Sequence, residues 1–169
     1  MTTPARTLLD CAAFPFPQAL PIYDSALRKS LTTIEEVQSL MIQSVCDEVS
    51  VTKLLKYADP LSENGGESLM RGQITELSFG IPLLQVQFMN PDNPAMSYRV
   101  DFCWKLADGR IIVAEYDGMA KYADISNKNR ASLQAKMEYD RRRDRHLREQ
   151  GVTEIVHVFY EDCLLYTSD

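Results

Sequence analysis

The chain has 169 residues, 45% of them hydrophobic and 25% charged, a globular balance that excludes a disordered or fibrous polypeptide. Its 18 Lys and Arg against 24 Asp and Glu give a net charge of −6, which excludes a surface coated in basic residues for nucleic acid but leaves room for a local basic face. Four cysteines without short paired spacing exclude a disulfide framework or zinc ribbon, and no apolar run reaches the roughly 20 residues that span a bilayer.

The chain opens on helices. Thr3-Pro4 reads as a cap followed by a first-turn proline, with Leu8, Leu9, Ala12 and Ala13 on one side. The run Phe14-Pro-Phe-Pro17 is expected to break that helix, and a second helix is expected over 18–29, with Leu20, Tyr23, Ala26 and Leu27 on one face. Thr32 or Thr33 caps a third, with Glu35 or Glu36 completing a capping box. A short fourth segment covers 50–57. The turn-rich stretch ADPLSENGG (58–66) predicts a boundary, so residues 1–58 read as a small helical region and 59–162 as a second domain. There a helix starts near Glu67 and stops before Gly80.

Three strands follow, over 82–89, 98–106 and 110–116. In the second, Val100, Phe102 and Trp104 alternate against Arg99, Asp101 and Cys103. Asp108-Gly109 reads as a hairpin turn. A charged helix over 132–150 carries a thin apolar stripe of Leu133, Met137 and Leu147, and a fourth strand covers 153–160. The expected class is α/β, with the order αβββαβ from residue 67 onward. Residues 163–169, CLLYTSD, resemble the translated end of a transposon-type sequencing adapter, so they are expected to be non-native, with no function for Cys163 or Tyr166.

Asp101 lies on the second strand, and Glu115 and Asp117 lie two apart at the end of the third, so period 2 puts the latter on one face. A hairpin places Asp101 across from them. Three converging carboxylates repel one another and call for a compensating cation. An oxygen-ligated divalent ion, most simply Mg²⁺, is the expected compensator, with Asp101 and Glu115 as ligands. Glu115 interrupts an otherwise apolar run, where an acidic residue must be paired or functional.

The texts RVDFCW, VAEYDG with KY, YDRRRDRHLREQG and EIVHVFYEDCL resemble very-short-patch-repair-like endonucleases of the PD-(D/E)xK, restriction-endonuclease-like fold. With TTPARTLLDCA, ALPIYDSALRKS and ADPLSENGGESLMR, the chain resembles most the C-terminal region of actinobacterial AbiEi-family antitoxins, or transcriptional regulators. The resemblance implies a restriction-endonuclease-like αβββαβ core behind a small helical region. It implies Asp101 as the metal-binding aspartate, Glu115 as the acidic residue of the (D/E)xK element and Glu67 as the upstream helix glutamate. Arg71, one turn on, would pair with Glu67 or touch phosphate. Asp117 stands where the motif lysine is expected, and Lys121 is the downstream candidate to replace it.

The stretch 128–148 has eight basic and three acidic residues, a balance of +5 that leaves −11 on the rest. Arg141, Arg145 and Arg148 share one helical face and are candidate DNA contacts, whereas Asp140–Arg143 and Asp144–Arg148 are expected to pair along the helix. His146 and His157 are expected to have surface and strand roles only. Two functions follow as expectations. One is Mg²⁺-dependent DNA hydrolysis. The other is a non-catalytic antitoxin or transcriptional-regulator module with a cognate toxin as partner, without the winged helix that precedes this region in the resembled proteins. A fold kept only for interaction is a third. The expected setting is cytoplasmic.

Overall fold

A computed structural model describes residues 2–117, 130–159 and 162–163, with only the backbone for 130–133. The chain divides into two compact units, Met1–Gly80 and Ile81–Asp169.

The first unit is helical: α1 (Pro4–Cys11), α2 (Phe16–Arg28), α3 (Ile34–Ile42), α4 (Glu48–Tyr57) and α5 (Gly65–Glu76). Local chemistry sets the helix starts. The Thr3 hydroxyl accepts the Arg6 N–H ahead of Pro4, Asp47 accepts from Val49 and Ser50, and Asn64 accepts from Gly66 and Glu67. Thr33 and Glu36 form a reciprocal capping box. The proline run does not delay α2 to residue 18. Pro15 is its N-cap and Pro17 lies in its first turn, where a missing N–H costs no helical bond.

Leu8, Leu20, Tyr23, Val37, Val51 and Leu54 are fully buried and form the centre of this unit's core. The Tyr23 hydroxyl donates to the Leu8 carbonyl at 2.8 Å, and burial pushes its ionisation far up. Helix α5 packs on α2. A Cβ on Gly72 would lie 2.6 Å from the Pro17 Cα, so only glycine permits this approach. That packing places the division after Gly80, not at the turn-rich 58–66 stretch. The adjoining turn belongs to the same unit, because Asp24 accepts the Asp59 N–H at 2.9 Å.

The second unit comprises β1 (Leu83–Phe88), β2 (Tyr98–Lys105), β3 (Ile111–Asp117), α6 (Arg130–Glu149) and β4 (Val152–Phe159). The strands form a four-stranded sheet in the order β1-β2-β3-β4. The first two pairings are antiparallel and β3·β4 is parallel. A helix must therefore intervene before β4, because a parallel neighbour needs a long crossover. Gly151, at φ 93°, ends α6.

Tyr98, Val100, Cys103, Val113, Leu147 and Val152 make this unit's core. Val100 and Cys103 share it despite opposite parity, so β2 does not alternate strictly as the sequence suggested. The interruption sits at Asp101, between the pairs Leu84↔Phe102 and Val86↔Val100, where Gln85 takes a left-handed φ of 53°. Phe102, outside that cluster, is buried beside Trp104. Cys163 is buried, and the rest of the adapter-like tail, Tyr166 included, lies outside the described residues.

The inner face of α6 also differs from the expected stripe. Met137 is exposed and Leu147 fully buried. Tyr98 meets the half-exposed Tyr139 edge-on, lies under Arg143 and bonds His146, so the face is Arg143, His146 and Leu147 with Tyr139 at its rim. These positions follow helical spacing.

Candidate functional site

The end of β3 gathers the predicted carboxylates. Asp101 turns its Oδ2 to accept the Tyr116 N–H at 2.9 Å. The β2·β3 register is recorded from Lys105↔Ile111 to Phe102↔Ala114, so Asp101 supplies from its side chain a bond just beyond that ladder. Glu115 accepts from the Arg143 guanidinium, with both side chains largely out of solvent at 14% and 12% exposure. Asp117, buried, faces His157 with Oδ2 2.9 Å from Nδ1. Parallel pairing explains the neighbourhood: His157 stands opposite Glu115 on β4.

Arg143 has further anchors. Its Nη2 also donates to the Arg99 carbonyl at 2.9 Å, and its Cζ lies 5.9 Å from the centre of the Tyr98 ring. Burial pushes the Glu115 carboxyl up, against the hydrogen bond and charge of Arg143 that pull it down; Asp101 adds to the rise and His157 opposes it. Burial works against the Arg143 charge, but the Glu115 bond and charge outweigh it and strengthen the guanidinium's hold on its proton. The result is a charged arginine over a carboxyl that ionises less readily than usual.

In this arrangement Glu115, an expected Mg²⁺ ligand, is held by a guanidinium. A hard divalent ion needs carboxylate oxygens with open lone pairs. Here Asp101 Oδ2 is committed to a backbone amide, and Glu115 is turned onto a guanidinium held by two further contacts. Among the described residues no group of three or more His, Cys, Asp or Glu is disposed to hold a metal ion.

The remaining predicted residues fall elsewhere. Glu67 belongs to the first unit and is buried at the start of α5, where its carboxylate accepts from the Glu63 N–H at 2.8 Å and from the Asn64 amide. Arg71 neither pairs with Glu67 nor reaches a surface phosphate. It is 4% exposed and bonded to the Asp24 carboxylate and the Tyr57 carbonyl. Its Nε has no hydrogen-bond partner among the described residues. Lys121 lies outside the described residues.

On α6, Arg141 and Arg145 are exposed and carry no ion pair among the described residues, while Arg148 donates to the Thr153 carbonyl at 3.3 Å. Arg142 pairs with Asp92 at 3.3 Å. Arg143 leaves Asp140 for Glu115. The sequence reading missed both Arg143 and His157. The signal for Arg143 was its spacing: it lies one turn before Leu147, so it shares the face that the stripe's most buried residue turns inward.

A cleft of about 570 Å³ lies in the first unit between Pro4, Thr7, Leu8, Pro21 and Ile22. Its lining contains none of the predicted site residues. Its walls are mostly apolar, with Arg28, Thr7 and Ser25 among the polar side chains that line it.

No family model and no solved structure matches the chain. Two uncharacterized proteins from two strains of Mycobacterium tuberculosis are similar to it, each 30% identical over 125 residues, which is 72% of this chain. The chain spans 44% of the length of each of these curated relatives. No helix among the described residues is long and apolar enough to cross a membrane.

Proposed function

We propose that the second unit is a restriction-endonuclease-like, PD-(D/E)xK-type domain serving as a non-catalytic regulatory module of the antitoxin or transcriptional-regulator kind. The observation that carries this reading is the Arg143–Glu115 pair: the acidic residue of the would-be metal motif is neutralised from within the fold. Asp117 in the motif lysine's place supports it, because a carboxylate facing His157 supplies no cation for a developing phosphorane. In this reading the protein works in the cytoplasm. DNA meets the outer arginines of α6, Arg141 and Arg145, and a cognate toxin is the protein partner.

The competing reading is a Mg²⁺-dependent DNA endonuclease. It draws on Asp101 and Glu115 standing together on adjoining strands, and it requires Arg143 to leave Glu115. Incubation of the intact chain with supercoiled plasmid and Mg²⁺ or Mn²⁺ separates the two. No nicking above a metal-free control is expected. Nicking that needs the metal and disappears in Glu115→Gln would replace the regulatory reading with the nuclease.

A further inference from the structure

We infer that Arg143 is the resident cation of the acidic centre, and that its guanidinium keeps divalent cations out of the place their charge would take. The inference deepens the regulatory reading and rests on it.

Glu115 is mostly buried and adjoins two further carboxylates, Asp101 and Asp117. Such a group needs positive charge close by. Arg143 meets that need, and its position does not depend on Glu115 alone. The Arg99 carbonyl accepts from the same Nη2, the Tyr98 ring lies beneath, and Leu147 one turn on is locked in the core. Tyr98 is itself fixed by Tyr139 and by His146, the latter at 3.0 Å from its hydroxyl. An incoming divalent ion would have to displace a guanidinium held from three sides and accept its repulsion at short range. The geometry thus turns a carboxylate centre into a permanent internal ion pair without removing its acids.

The test compares Mn²⁺ binding by calorimetry in the intact chain, in Arg143→Met and in Arg143→Met with Glu115→Gln. The intact chain is expected to show no saturable binding. Arg143→Met should bind at least about tenfold more tightly, since one unit charge has left the site, and the double variant should lose that gain. Arg143→Lys, which keeps a cation but lacks the planar guanidinium fork, should fall between the first two.

Arg143→Met binding no better than the intact chain would overturn the inference and leave the regulatory reading standing. Tight binding by the intact chain would overturn both. A measurement on the unaltered protein guards against a variant that fails to fold. Millimolar Mg²⁺ should leave the NMR signals of the Arg143 side chain and the Glu115 carboxyl where they are, and a saturable shift of either would overturn the inference.

Discussion

Each unit takes an arginine and a carboxylate out of water, and the two pairs are finished differently. In the first unit Asp24 is fully buried against Arg71, its second oxygen holds the Asp59 N–H, and Arg71 also serves the Tyr57 carbonyl. One negative charge meets one positive charge, and the network ties α2 and α5 to the turn after α4. In the second unit Arg143 binds Glu115, but Asp101 and Asp117 stand close by and His157 carries charge only when protonated. Among the described residues, three carboxylates share this place with one arginine. The same chemistry is therefore a closed joint between helices in one unit and a pairing inside a cluster of acids in the other.

The largest expected effect tests the closed joint. Removing one member of a buried pair leaves the other uncompensated, which costs about 3–5 kcal/mol. Asp24→Ala and Arg71→Met should each unfold the first unit at markedly lower urea. A loss below about 1 kcal/mol would mean that water reaches the pair and that the contrast with Arg143 fails.

A smaller effect with a pH signature is expected in the second unit. Arg143→Met should cost about 1.5–3 kcal/mol near neutrality, the range for a hydrogen bond to a charged group. The sign with pH follows from the raised Glu115 carboxyl. A carboxyl raised in the folded state contributes stability that is fully present below its unfolded value and is lost as pH rises through the folded value. Arg143 pulls that value down, so its loss should raise it further. The variant should thus approach the intact chain in acid and fall away from it through and above the ordinary carboxylate range. Urea midpoints measured across that range give the comparison, and a constant gap at every pH would remove Glu115 from the account.

The smallest effect concerns the outer face of α6. Arg141→Glu with Arg145→Glu should move stability by no more than about 0.5 kcal/mol, because neither side chain has a partner among the described residues. Low-salt retention on DNA should nevertheless drop. A large stability loss would place these arginines in the fold instead of on its surface.

The legibility of these features follows their range. The element types came from periodicity, and the capping box at Thr32 or Thr33 with Glu35 or Glu36 came from local text, because both depend on residues within a turn or two. What stayed hidden was long-range. Asp24 and Arg71 lie 47 residues apart, and nothing in either neighbourhood announces that α5 leans on α2 through Gly72. Arg71 therefore read as a partner for Glu67 or for phosphate. Asp101, Glu115 and Asp117 were readable as a group because a hairpin and a two-residue spacing join them. Their partners were not, since Arg143 had a plausible mate in Asp140 on its own helix and His157 reaches Asp117 only through a parallel crossover. The alternation of β2 also misled, because the interruption at Asp101 turns on the backbone of Gln85 in the neighbouring strand.

That parallel crossover has a kinetic consequence. The meander from β1 to β3 joins neighbours through short turns, whereas β4 can dock on β3 only after the chain has closed around α6. Closing the longer loop costs more entropy and makes that pairing the slower event. The protein's single tryptophan, Trp104, lies in the β2·β3 pairing opposite Ile112, while His157 joins its carboxylate across the last one. Tryptophan fluorescence and the His157 ring signal are thus two clocks in one sheet, and in refolding the first should stop before the second.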